Sequence, residues 1–208
     1  SSGSILKPVL YALALQEGRI LPGSLLPDIP VLLRDFRPEN FSEKYEGVVP
    51  AHRALSRSLN VPFVYLLQDY GLERFHFALN KLQFTTIRKP SAHYGLSLIL
   101  GGAETTLWDI TNCYASMARM LENFPRYSSR YAAADFRHAS YIKLPQDEKP
   151  AKVRLTADAP FIGAAAAWLT FDAMRRLERP DEEGDWEFFG SGRPVAWKTG
   201  TSYGFRDA

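Results

Sequence analysis

Ser4 and Lys7, Ser58 and Asn60, and Lys198 followed by Thr199 and Gly200 are the residues whose types and spacing could do chemistry together. A serine hydroxyl is a weak nucleophile until a base takes its proton. Lysine can be that base only if its ammonium deprotonates near neutral pH, and both burial and a neighbouring cation push it that way. Ser4 and Lys7 stand three apart, so a helix places them on one face. Lys198 would be the neighbouring cation if its segment lies against Ser4. Asn60 can hold Lys7 or a substrate amide, and Ser58 can relay a proton to a leaving amine. The backbone N–H groups of Ser4 and Thr201 are the candidate oxyanion donors. Lys198, Thr199 and Thr201 would receive a substrate carboxylate, and Gly200 leaves room for a substrate backbone. The set describes a serine acyl-transfer site with lysine as its proton shuttle.

Each motif alone is weak, and order, spacing and local context carry the weight. A second Ser-x-x-Lys stretch, Ser140 to Lys143, lacks helical periodicity among Tyr141, Ile142 and Leu144 and is read as chance. Ser4 has the better surroundings. From Ile5 to Gly18 the apolar spacing of Leu6, Leu10 and Leu13 predicts a helix ending at Gly18. Pro8 falls in its first turn, where proline is tolerated. Gly3 permits a tight turn into Ser4.

The remaining elements follow from similar signals. Residues 19–50, interrupted by Pro22, Pro27, Pro30 and Pro38, read as extended loop. A short helix is expected over 51–59, ending near Pro62, then one or two helices over 62–82, split near Gly71. Residues 89–104 read as loop with a short helical turn. Thr106 to Asp109 resembles a capping box opening a helix to about Leu121. Residues 122–157 read as irregular with a small hairpin, Pro160 to Leu177 as a long helix and 179–187 as an acidic loop. Phe188-Phe189 and Val195 to Ser202 read as strand.

At this point a resemblance enters. Gly3-Ser4-Ile5-Leu6-Lys7-Pro8, Phe36-Arg37-Pro38-Glu39-Asn40-Phe41 with Gly47-Val48-Val49, and Ala54 to Pro62 resemble segments of the transpeptidase domain of class A penicillin-binding proteins. Tyr94 to Ser97, Gly101 to Glu104 and Leu107-Trp108-Asp109 are similar to a stretch typical of the 1C type. Lys198 to Ser202 with Gly204 to Ala208 closes the set, and 122–157 match least. Related serine enzymes carry Asp in the middle of the second motif; here that residue is Leu59.

The resemblance implies a D,D-transpeptidase that cross-links peptidoglycan stem peptides through an acyl-enzyme on Ser4. β-Lactams would acylate Ser4 as substrate mimics. A D,D-carboxypeptidase, a non-catalytic β-lactam-binding sensor and a scaffold stay as alternatives. The deacylating glutamate of class A β-lactamases has no good counterpart, since Glu73 and Leu79-Asn80 come too soon, so efficient β-lactamase activity is not expected. The implied fold is α+β, β-lactamase/D,D-transpeptidase-like. Here it would be a mostly helical part with an incomplete antiparallel sheet, since the family's other strands would flank this stretch. The chain thus reads as a partial domain over 1–208, impaired by truncation, without glycosyltransferase domain or membrane anchor. The Lys198 strand is expected to be mobile, to self-associate through an exposed edge, or to sit displaced from Ser4. Localisation would be the periplasmic face of the cytoplasmic membrane, with membrane contact only through an absent N-terminal segment.

Composition narrows the classes. The 208 residues suit one domain. With 25 basic and 23 acidic side chains the net charge is +2, and no basic run marks nucleic-acid binding. Apolar stretches such as Phe161 to Leu169 are far short of a membrane span, and no signal peptide is visible. Cys113 is the single cysteine and reads as a buried thiol. His52, His76, His93 and His138 show no metal-ligand spacing, and neither metal nor cofactor is expected.

Overall fold

The computed structural model describes residues 2–33, 36–137, 153–176 and 195–200. A tight turn at Gly3, whose φ of +52° suits a residue without Cβ, opens a 3-10 turn over Gly3–Leu6. The turn runs straight into helix α1 (Lys7–Gln16), with Pro8 in the first turn. The expected helix is therefore present, with its first residues wound more tightly. Every residue from Lys7 to Ala14 is buried. A helix that is apolar nearly all round belongs at the centre of a domain, and α1 packs against α2 (Ala51–Ser56), α3 (Val61–Tyr70) and α7 (Ala164–Arg175). The small side chains of Ala164, Ala166 and Ala167, all buried, line α7.

Residues 19–50 are not all loop. Strands β1 (Leu25–Asp28) and β2 (Gly47–Pro50) pair antiparallel, with Leu26 opposite Val49 and Asp28 opposite Gly47. Leu26, Val49 and Asp28 are buried. Pro27 and Pro50 hide this pair in the sequence, because proline is compatible only with edge positions of a sheet. Pro62 opens α3 rather than ending α2, and Gly71 separates α3 from α4 (Leu72–Lys81) as expected.

Short α5 (Ser91–Tyr94) and a 3-10 turn over Gly95–Leu100 fill the stretch before α6 (Leu107–Arg126). Thr106 Oγ1 accepts from the Asp109 backbone N–H at 3.0 Å. The Asp109 carboxylate accepts from the Thr85 backbone and hydroxyl, both at 2.9 Å, so only half of the box forms at the helix itself. Helix α6 runs beyond Leu121 to include Pro125. Strands β3 (Tyr131–Ala132) and β4 (Leu155–Thr156) form the small antiparallel pair expected in 122–157. Helix α7 begins at Ala164, later than Pro160.

The expected Lys198 strand is corrected by the structure. Residues 195–200 form no ladder with any described strand, and the Trp197 N–H donates to the Met174 carbonyl at 3.1 Å. Thr201 and Ser202, the second Ser-x-x-Lys stretch, the acidic loop and Phe188-Phe189 lie outside the described residues.

Candidate active site

Lys7 is fully buried in the first turn of α1. Its Nζ donates to the Ser58 carbonyl at 2.7 Å and to Asn60 Oδ1 at 2.6 Å, and lies 5.8 Å from the centre of the Phe63 ring. Burial, and secondarily the Lys198 charge, hold its ammonium well below the usual lysine range. Ser4 precedes it by three residues in the 3-10 turn, where i and i+3 side chains eclipse, and is partly exposed. A buried amine whose proton affinity is lowered, three residues from a partly exposed serine, could serve as base to a serine nucleophile.

The second motif sits on a strained corner. Ser58 follows α2 with φ of +55°, a left-handed conformation that is uncommon outside glycine. This corner brings the Ser58 carbonyl to Lys7 and its hydroxyl to Lys198, whose Nζ donates to Ser58 Oγ at 2.6 Å. Leu59, where related enzymes carry Asp, is buried in the core. Asn60 turns its carbonyl oxygen to Lys7 and its amide nitrogen to the Glu39 carbonyl, 2.7 Å away.

Lys198 also donates to the Thr199 carbonyl at 2.5 Å, and burial pulls its ammonium down to about 7. A Cβ placed on Gly200 would lie 3.0 Å from Ile5 Cγ1, so this glycine permits close approach to the Ser4 turn. The segment is therefore laid against the Ser4 turn rather than displaced from it. Thr199 is exposed beside it. Two long-range bonds hold the turn from other sides: Tyr114 Oη donates to the Ile5 carbonyl at 2.9 Å, and the Ser2 N–H to the Ala103 carbonyl at 2.9 Å. The Asn60 N–H donates to Asn40 Oδ1 at 2.9 Å.

Ser4, Lys7, Ser58, Asn60, Lys198, Thr199 and Gly200 thus gather at one place, while Thr201 lies outside the described residues. Sequence reasoning missed Asp28, Phe63 and Tyr114. Asn40 stood inside a segment that carried the resemblance, without a role. Glu73 lines an open groove with Gln68, Leu72 and Leu96. Among the described residues Cys113 is buried, its thiol pushed up to about 12 by that burial. His52 and His76 bond to the Pro22 and Lys89 carbonyls.

A helical domain that gathers Ser-x-x-Lys, Ser-x-Asn and Lys-Thr-Gly motifs around one buried lysine is of the transpeptidase-like class. The sequence profile of the family described as the penicillin binding protein transpeptidase domain matches residues 1–121, and the chain belongs to that family. It is 36% identical over 208 residues to penicillin-binding protein 1C of Escherichia coli, covering 100% of this chain and 24% of that protein. It is 26% identical over 215 residues to penicillin-binding protein 1B of Vibrio cholerae, covering 99% of this chain and 26% of the relative. The chain thus spans about a quarter of the length of these relatives. In fold it is similar to penicillin-binding protein 1A from Haemophilus influenzae, with TM-score 0.66 and 18% identity over 96% of this chain and 34% of that one. PonA1 from Mycobacterium tuberculosis gives TM-score 0.66 and 17% identity, covering 97% and 53%. Among the described residues no helix is long and apolar enough to cross a membrane.

Proposed function

We propose that this chain carries the acyl-transfer site of a D,D-transpeptidase acting on peptidoglycan stem peptides in the bacterial cell envelope. The observation that carries the reading is the convergence on Lys7: a fully buried amine held by Ser58 and Asn60, with Lys198 bonded to the same Ser58.

Neutral Lys7 takes the Ser4 hydroxyl proton as Ser4 Oγ attacks the carbonyl of the penultimate D-alanine. Positive potential at the start of the nucleophile helix favours the developing anion. The Ser4 and Thr201 N–H groups are the proposed donors to the oxyanion, each worth roughly 3 kcal/mol in such sites. Lys198 holds the terminal carboxylate, with Thr199 and Thr201 beside it. A proton passes through Ser58 to the leaving nitrogen, D-alanine departs, and an ester remains on Ser4. The amine of a second stem peptide then attacks that ester, gives up its proton to Lys7, and restores the serine. A β-lactam follows the first half of this course, with its ring amide as the bond broken, and remains attached to Ser4.

Intact-mass spectrometry after incubation with a penicillin, beside Ser4→Ala, tests the reading. The expected result is one stable adduct on the wild-type chain and none on the variant. Equal adducts on both, or none on either, would overturn it for this chain.

A further inference from the structure

Asn60 occupies the N-cap of α3, where an asparagine side chain ordinarily accepts from the first free N–H groups of the helix. It makes no such bond. Its carbonyl oxygen is on Lys7 and its amide nitrogen on Glu39, so its side chain is occupied. The cap comes from elsewhere. Asn40 Oδ1 accepts from the N–H of Asn60 at 2.9 Å and of Val61 at 3.2 Å.

Asn40 is almost fully buried, and both hydrogens of its amide are placed as well. Nδ2 donates to Asp28 Oδ1 at 2.7 Å and to the Lys44 carbonyl at 2.9 Å. Asp28 has no exposed surface, and its Oδ2 accepts from the Glu46 N–H at 3.0 Å. A carboxylate can only accept. It therefore decides which end of the Asn40 amide faces β1, and leaves the oxygen end to face α3.

We propose that Asp28 and Asn40 are a positioning pair that holds the N–H groups of Asn60 and Val61 at the start of α3, so that the Asn60 side chain is presented to Lys7. The catalytic consequence rests on Lys7 acting as base; the geometric claim about Asn60 does not. Without Asp28, the Asn40 amide can turn its nitrogen toward two N–H groups that need an acceptor. The start of α3 then loses its acceptor, and the Asn60 side chain it carries is no longer held on Lys7.

The test uses the isosteric Asp28→Asn and, as a second variant, Asn40→Ala, which removes the acceptor toward α3 altogether. Two quantities are read. One is hydrogen exchange of the Asn60 side-chain NH2 by NMR, its signal identified by its loss in Asn60→Ala. The other is the rate of acylation by a fluorescent penicillin across pH. Each variant is expected to lose protection of the Asn60 amide and to acylate about tenfold more slowly, with a displaced pH profile. If Asp28→Asn lowers thermal stability but leaves the Asn60 amide protected, the pair only anchors β1 and the proposal falls. An Asn60 amide that stays protected in Asn40→Ala, where the acceptor is gone, also overturns it. A wild-type chain that is not acylated counts against the proposed function, and the Asn60 amide still decides the positioning role.

Discussion

Lys7 is the residue on which the site turns, because its chemistry depends on being buried in a place where a charged ammonium is poorly tolerated. Desolvation is the larger cause of its lowered proton affinity and the Lys198 charge the smaller. Removing Lys198 therefore raises the Lys7 affinity for its proton without abolishing the shift. The rising limb of acylation rate against pH should move to higher pH in Lys198→Ala, and the rate at the lower end of the profile should fall. A pH series with a fluorescent penicillin measures this, and an unmoved limb would remove Lys198 from the electrostatics of Lys7. The spacing of Ser4 and Lys7 already showed in the sequence. The burial of Lys7 did not, because a lysine in the first turn of a helix is ordinarily solvated.

At the scale of elements, caps and turns do most of the placing. Thr106 caps α6, and α6 carries Tyr114, which holds the Ser4 turn through Ile5. Thr106→Ala is expected to destabilise the fold by about 1 kcal/mol, the usual loss of such a cap. Acylation of the folded protein should change little, since the rest of α6 still packs on α7. Urea unfolding beside an acylation assay tests both halves. This cap was legible because Thr106 and Asp109 are local to their helix, as was the break at Gly71. Capping of α3 was not legible, because Asn40 lies 20 residues before the helix start and reaches it only through the fold. The β1–β2 pair was equally hidden, since two prolines mask the period-two signal and pairing depends on the partner strand.

For the whole molecule, two buried lysines give stability a definite pH dependence. In the unfolded chain each keeps an affinity near 10.5, whereas folded Lys198 titrates at about 7 and Lys7 well below its ordinary value. Between those values the unfolded chain binds more protons, so stability rises with pH. The rise should be clearest between about pH 6.5 and 8.5, because higher up other groups oppose it. There Cys113 and the buried Tyr11, Tyr70 and Tyr114, all shifted upward by burial, stay protonated in the fold and ionise in the unfolded chain. Urea midpoints at the two ends of that window should differ in wild type and differ less in Lys198→Met. A wild-type midpoint that does not rise would show that these lysines are solvated.

The sequence by itself determined the three motifs, their order, the tight turn into Ser4, the break between α3 and α4, the cap of α6, and the family they resemble. Those are statements about residues near one another along the chain, where spacing and propensity act directly. Only the tertiary structure decided that Lys7 is sealed from water, that Ser58 takes a left-handed corner to face two lysines, and that the described residues around Lys198 pair with no described strand. It alone showed that Asp28 and Asn40 stand behind Asn60. Each of these depends on which distant segment fills the space beside a side chain, and desolvation and hydrogen-bond partnership are fixed only when that space is filled.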